Sequence, residues 1–531
     1  MVTMAVTANN PGVRAMRSVL SQRIPLSAAF TALIALGLSS PAHALDWLFE
    51  PSVGASATYT DNVKQSASNT QDSLILGVSP GFSLRSKGSR RVQASLQYGF
   101  STVNRFGGDT DDDLFHNLNA IGKAELVEDL LYLDGSAHVS QQLKSLLGSG
   151  ADASTNSSNR ATVGTYSISP HVNKRLGTFA TAQARYTASG AIFENNTGAN
   201  SNVNAFSTGL NSGTQFNDLS WGLDYSIRKA ENKNTRNTTF ERASANLGYA
   251  LTRKVRIFGT IGQDWNDYLS STNTDGSSYS VGFGWAPTRR TSVEASVGER
   301  YFGKTFSFAG SHRTRLSRWN IRYSEDVSDI TQQLLEQTDR VFWVCNGTLV
   351  ETPDAAPPVN QTCTAGPFSA GQVAQAYASL GVPLSELIRV GLLNVSTANG
   401  VFIIKSLNAG VSWEIGRLGF GVSAQDTRRL YQVLGDAEDH IQSLTGSVNY
   451  RLTPRTSANS YVSLTRNSFD PALASGTARQ DDIFSLSVGL THRYSDKLNG
   501  ALTFRHTQRD SNAANSNYEE NSLTATANMR F

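Results

Sequence analysis

The chain has 531 residues, of which 39% are hydrophobic and 17% charged, with a formal net charge of +3 and a mean hydropathy of −0.29. That charge is too small to imply nucleic acid or a strongly acidic partner, and the charged fraction lies below the roughly one quarter usual in soluble proteins. Forty-four glycines with abundant Ser, Thr and Asn suit strands and turns better than helices, and two cysteines allow one disulfide in an oxidising compartment.

At the amino end Arg14, Arg17 and Arg23 precede an apolar run from Pro25 to Leu38, followed by Ala42-His43-Ala44. A basic region, a short apolar region and an A-x-A site predict a secretory signal peptide over residues 1–44. The apolar run, ~14 residues, is too short for a membrane-spanning helix, which needs about 20.

From Leu45 onward the dominant pattern has a period of two. Val92, Ala94, Leu96, Tyr98 and Phe100 alternate with Gln93, Ser95 and Gln97. Leu219, Trp221, Leu223, Tyr225 and Ile227 alternate with Ser220, Gly222, Asp224 and Ser226. Similar alternation runs through Tyr279–Trp285, Trp319–Tyr323 and Phe484–Leu490, and ends in Leu523, Ala525, Ala527, Met529 and Phe531. Each run suits one strand with an apolar face and a wet face, of the ~9–11 residues that a tilted crossing requires. Short turns are predicted near residues 87–90, 128–130, 176–177, 214–218, 251–254, 287–290, 313–317, 416–418, 453–455 and 495–498. Between them fall long polar stretches at 62–72, 107–113, 143–160, 194–202, 229–237, 270–276, 470–480 and 510–517. Short turns on one side and long loops on the other describe an outer-membrane barrel of a Gram-negative bacterium, with both termini periplasmic. The fold expected is therefore an all-β transmembrane antiparallel barrel over residues 45–531, of about 22 strands within a range of about 18–24. An aromatic last residue, Phe531, resembles the assembly signal of such barrels and implies the barrel assembly machinery as a partner, beside outer-membrane lipid and lipopolysaccharide.

Residues 332–399 break the pattern. They contain both cysteines and no alternation. Ser369 and Gln372 offer a capping box, with Val373, Ala376, Tyr377 and Leu380 at helical spacing behind it, and Leu384 to Leu393 form a second helical pattern. So apolar a loop should not lie open in water. It is expected to be an external, partly helical insertion after strand 15 that plugs or caps the lumen. A Cys345–Cys363 disulfide would close a loop of roughly 17 residues and stabilise it by roughly 3 kcal/mol.

Several motifs carry a family resemblance: Tyr59-Thr60-Asp61-Asn62-Val63, Ser79-Pro80-Gly81-Phe82, Tyr301-Phe302-Gly303, Ser311-His312-Arg313, Tyr323-Ser324-Glu325-Asp326 and Val344-Cys345. In their order they resemble the outer-membrane β-barrels associated with PEP-CTERM/exosortase systems and exopolysaccharide gene clusters. The resemblance implies an outer-membrane location, a link to extracellular polysaccharide and its periplasmic export components, and no established active site.

Candidate sites are few. Asp109, Asp111, Asp112 and Asp113 lack the spacing of a calcium loop and read as a solvated external loop. The histidines have no metal-ligand spacing, and no cofactor is expected. His138 with Ser140, or His506 with Asp510, could be offered as catalytic pairs, but such pairs arise by chance in a Ser-rich barrel. No catalytic, cofactor-binding or metal residue is assigned, and the chain is not expected to be an enzyme. Alternation places Asp224, Arg228, Glu294, Arg300, Arg322 and Asp326 toward the lumen. The leading expectation is a conduit or accessory barrel for exopolysaccharide export or assembly. Its rivals are a general sugar porin, a structural scaffold for surface or periplasmic partners, and a barrel enzyme.

Overall fold

The computed structural model describes residues 46–531 except 88, 90, 108–111, 144–158, 195–199, 234–235, 339–340, 346–347, 353–362, 370–372, 374–399, 433–436 and 474–475. The predicted signal peptide and most of the two predicted helices after Ser369 lie outside the described residues.

The chain opens with strands β1 (Asp46–Thr60), β2 (Ser73–Lys87), β3 (Val92–Phe106), β4 (Asp113–Val127), β5 (Leu131–Leu143), β6 (Arg160–Leu176), β7 (Ala180–Phe193) and β8 (Ser201–Ser212). It continues with β9 (Leu219–Asn232), β10 (Thr238–Thr252), β11 (Val255–Asp267), β12 (Gly276–Thr288), β13 (Thr291–Arg300), β14 (Gly303–Arg313) and β15 (Ser317–Asp329). Helix α1 (Ile330–Thr338) and short strands β16 (Val341–Cys345), β17 (Thr348–Thr352) and β18 (Cys363–Ser369) follow. Strands β19 (Val401–Ile415), β20 (Leu418–Tyr431), β21 (Glu438–Thr453), β22 (Thr456–Phe469), β23 (Arg479–Arg493), β24 (Leu498–Ser511) and β25 (Tyr518–Arg530) complete the chain.

Twenty-two of these strands form one antiparallel sheet, and β16–β18 form a separate three-stranded one. The large sheet closes on itself: β1 pairs with β25 from Ser52 opposite Arg530 to Thr60 opposite Ser522. Closure is what a bilayer demands, since an open edge would leave backbone groups without hydrogen bonds in hydrocarbon. Short turns gather at one end, as between β10 and β11 or β12 and β13, and long connections gather at the other. By the outer-membrane pattern the short-turn end is periplasmic.

The pleat sorts the two faces. Trp221, Leu247, Gly259, Val281, Val297 and Phe306 are successive cross-strand neighbours from β9 to β14. Leu247 and Val281 are 57% and 61% exposed, as lipid-facing residues should be. One residue along, the row reads Gly222, Asn246, Thr260, Ser280, Gly298 and Thr305 and faces the lumen. No helix among the described residues is long and apolar enough to cross a membrane.

The segment between β15 and β19 differs from its sequence reading in two ways. It contains strands, β16–β18, where only helices and loop were expected, and Ser369 of the anticipated capping box ends β18. An apolar run such as Val341-Phe342-Trp343-Val344 is too short to reveal a period of two. Val373, the one described residue of the first expected helix, is helical and fully buried.

Candidate functional site

The wall is lowest at β13–β14, whose hairpin turns on Tyr301 and Phe302 with Gly303 at φ +118°, a backbone conformation that favours glycine. Longer neighbours close over this notch. Tyr268, Val327, Val401 and Ile403 form a buried cluster against Phe240, Tyr301, Phe302 and Leu430. The backbone amide of Ser271 donates to Gln432 O at 3.3 Å, joining the β11–β12 and β20–β21 connections above the hairpin. Tyr268 and Tyr301 share a hydrogen bond of 3.0 Å between their hydroxyls, and burial pushes the Tyr301 phenol far up from its ordinary pKa.

Helix α1 begins where β15 ends, and Asp329 starts it. The Asp329 carboxylate accepts from the Gln332 backbone amide at 2.9 Å, a capping interaction, and also takes both terminal nitrogens of Arg228 from β9. From there Ile330 and Leu334 pack against Val163 of β6 and Ala191 and Phe193 of β7, and Thr331 shares a hydrogen bond of 2.9 Å with Ser201 of β8. Val163 lies on the face opposite the lipid-exposed Ile168 and Val172, so this contact is on the inner wall. The helix thus joins β15 to the far wall at the external mouth. Sequence reading missed it, although Asp329-Ile-Thr-Gln332 followed by Leu334 carries the cap-then-apolar signal.

The six anticipated lumen residues all share the face opposite the lipid-facing alternation. Arg228 binds Asp329. Arg300 spans Asp264 at 3.0 Å and Asp326 at 2.8 Å, with its guanidinium over the rings of Tyr301 and Phe302. Asp224 accepts from Asn246 at 3.1 Å, and Glu294 pairs with Arg256. Arg322 makes no ion pair among the described residues. Sequence reading missed three further charged clusters: Asp439 accepting from Arg429 and from the Tyr431 hydroxyl (2.9 and 3.0 Å), Asp481 with Arg479 and Arg509, and Arg105 with Asp113 (2.7 Å). Alternation identifies an inward side chain but cannot name its partner two or more strands away.

The other candidates resolve plainly. Asp112 accepts from the Arg105 amide at 2.9 Å, while Asp109 and Asp111 lie outside the described residues. No group of metal-ligating side chains occurs among the described residues. His138 and Ser140 do not bond to each other: Ser140 accepts from Gln142, and both ring nitrogens of His138 lack a partner among the described residues. His506 bonds Asn521, and Asp510 accepts from Gln508. Cys345 and Cys363 are cross-strand partners in the small sheet, a relation whose Cα spacing of about 4.5–5.5 Å falls within the range a disulfide needs.

The inner wall between the charged clusters is neutral and rich in hydroxyls. Asn119, His138 and Thr165 are cross-strand neighbours on β4–β6, each nearly fully buried and each with a side-chain atom lacking a hydrogen bond among the described residues. Ser443, Thr445, Ser463, Ser485 and Ser487 form a similar buried tract on β21–β23.

No protein-family model matches the chain, and no curated protein matches it. Among solved structures, the siderophore receptor PirA from Acinetobacter baumannii aligns at 9% identity over 92% of this chain and 81% of its own, with a TM-score of 0.51. The FrpB iron transporter from Neisseria meningitidis aligns at 12% identity over 91% of this chain and 82% of its own, at a TM-score of 0.49. The fold is that of a large outer-membrane barrel.

Proposed function

We propose that this chain is a gated conduit in the outer membrane of a Gram-negative bacterium, serving export or assembly of an extracellular polysaccharide and doing no chemistry of its own. The observation that carries the gate is α1, whose start is held by the Asp329–Arg228 pair and whose first turns pack through Ile330 and Leu334 against β6 and β7. On this reading residues 332–399 cap or plug the lumen, and the cysteine pair braces them. The polysaccharide assignment is supported by the motif resemblance and by the neutral, hydroxyl-rich character of the inner wall. Lipopolysaccharide and periplasmic export components are the partners this role requires.

Planar-bilayer conductance tests the reading. The full chain should be closed or nearly so, and Leu334→Arg, which puts a charge into the α1 contact, should open it while the protein still migrates as a folded barrel. A large steady current from the full chain would instead favour a general porin. A variant that stays closed would favour a structural scaffold.

A further inference from the structure

The small net charge of the chain conceals a separation of charge along the barrel axis. At the external end most arginines meet carboxylates. At the short-turn end Arg91, Arg85 and Arg256 also pair with acids, but along the arc from β10 to β25 most basic residues meet one another.

Backbone hydrogen bonds fix the adjacency. The amide of Arg313 donates to Arg290 O at 2.8 Å, that of Arg451 to Arg417 O at 2.9 Å, that of Arg493 to Arg455 O at 2.8 Å and that of Arg530 to Lys497 O at 2.9 Å. Arg313 is also the direct cross-strand partner of Arg318. Arg253, Lys254 and Arg289 extend the arc to the neighbouring turns. All of these side chains are exposed, and none makes an ion pair among the described residues. Of the acids nearby, Glu294 is taken by Arg256 and Glu50 by Arg85, which leaves Asp46, Asp218, Glu414 and Asp496 as counter-charges, far fewer than the basic residues along the arc. Like charges opposite one another in a sheet are unfavourable, so this arrangement makes sense if an anion sits against it.

Side-chain direction tells what kind of anion. Arg318, Arg451, Arg493 and Arg530 lie on the inward face, alternating with lipid-facing Trp319, Leu452 and Met529. They therefore point into the mouth of the lumen and away from lipid headgroups. We propose that the periplasmic mouth recruits a soluble polyanion, a flexible chain bearing carboxylate, phosphate or sulfate groups, and feeds it toward the lumen. This deepens the conduit reading by naming the charge of the polymer, and rests on it for the direction of travel but not for the binding. A funnel of one sign raises the local concentration of an opposite-signed solute and is weakened by salt.

The test uses the full chain in phosphatidylcholine nanodiscs, where both mouths are open to solution. Polygalacturonate should bind with an affinity that falls at least about tenfold when salt is raised from low to physiological ionic strength, and size-matched neutral dextran should not bind. R313E/R318E and R451E/R493E should abolish binding, and the milder R313Q/R318Q should weaken it, with heat-modifiable migration confirming a folded barrel. R236Q, at the external end, should bind as the parent does. Equal binding by parent and rim variants would overturn the proposal. So would recruitment of phosphatidylglycerol into the nanodisc with no polygalacturonate binding, which would make the rim a lipid anchor, or rim-dependent capture of an acidic periplasmic protein alone. If polygalacturonate binds at the rim but never crosses an opened barrel, the conduit reading fails and the recruiting site stands.

Discussion

Asp61 and Asn521 hold the barrel shut at its seam. The Asp61 carboxylate accepts from the Asn521 backbone amide and from its side-chain amide, each at 2.8 Å, although 460 residues separate the two. Asn62 beside it donates to Glu519 O at 2.9 Å, and Thr60 donates to Glu520 at 2.9 Å. The Tyr-Thr-Asp-Asn-Val motif is therefore a latch between the first strand and the last.

Asp61→Ala should weaken this latch. Two hydrogen bonds to a charged acceptor are lost, and the partly buried Asn521 groups are left unpaired, so a loss of about 2–4 kcal/mol is expected. The urea midpoint of the folded form should drop, and Asp61→Asn should restore part of it. An unchanged midpoint for the alanine variant would show that the seam draws its strength from the backbone ladder alone.

Leu223→Arg places a charge on the lipid face, where Leu223 is 53% exposed, and should cost ~2–4 kcal/mol if the residue lies near the bilayer midplane. Ser226→Arg, on the exposed lumen side, should be tolerated. Alternation alone would extend that tolerance to Ser487, which also faces inward. Ser487 is only 5% exposed, so arginine there should disrupt the wall. Comparing the heat-modifiable fraction of the three variants checks both the register and the burial.

Deleting residues 330–400 and joining Asp329 to Val401 through a short Gly-Ser turn should leave a folded barrel, because these two residues are already cross-strand partners. Conductance and sensitivity to large antibiotics should both rise. A variant that inserts normally yet conducts no more than the full chain would remove the gate from the account.

The cysteines should resist alkylation in the folded, unreduced protein and react after reduction. Cys345→Ser should then free Cys363 for labelling and destabilise the small sheet by roughly 3 kcal/mol on the chain-entropy account. Labelling of both thiols without reductant would rule out the bridge.

Much of this architecture is legible in the sequence, because a lipid-facing strand must write its hydrophobicity at every second position. Trp221-Gly222-Leu223-Asp224-Tyr225 can be read as wall, with faces assigned, from spacing alone. What spacing cannot supply is depth and partnership. Nothing in the surroundings of Ser487 separates it from Ser226, although one is enclosed and the other wet. Arg228 is an inward residue by count, but its pairing with Asp329 across six strands follows from the curvature of the closed wall. Helix α1 went unread for a different reason: its cap, Asp329, also ends a strand, so the change of period falls inside one residue. The cationic rim was hidden by averaging, since a net charge of +3 says nothing about where the charges sit.

The seam has a consequence for the order of events in folding. Thr58 and Thr524 share a hydrogen bond across a separation of 466 residues, so the edge of β1 stays unpaired until the carboxyl terminus is available. Every intermediate hairpin sheet, however well formed, keeps two exposed edges and a greasy face that neither water nor a bilayer accepts. Closure is the last step and involves the longest loop the chain can make, which is slow for entropic reasons. The nascent sheet must therefore be kept from pairing elsewhere until its final strand arrives. The time to full closure should follow the last few residues of the chain far more than any hairpin in between.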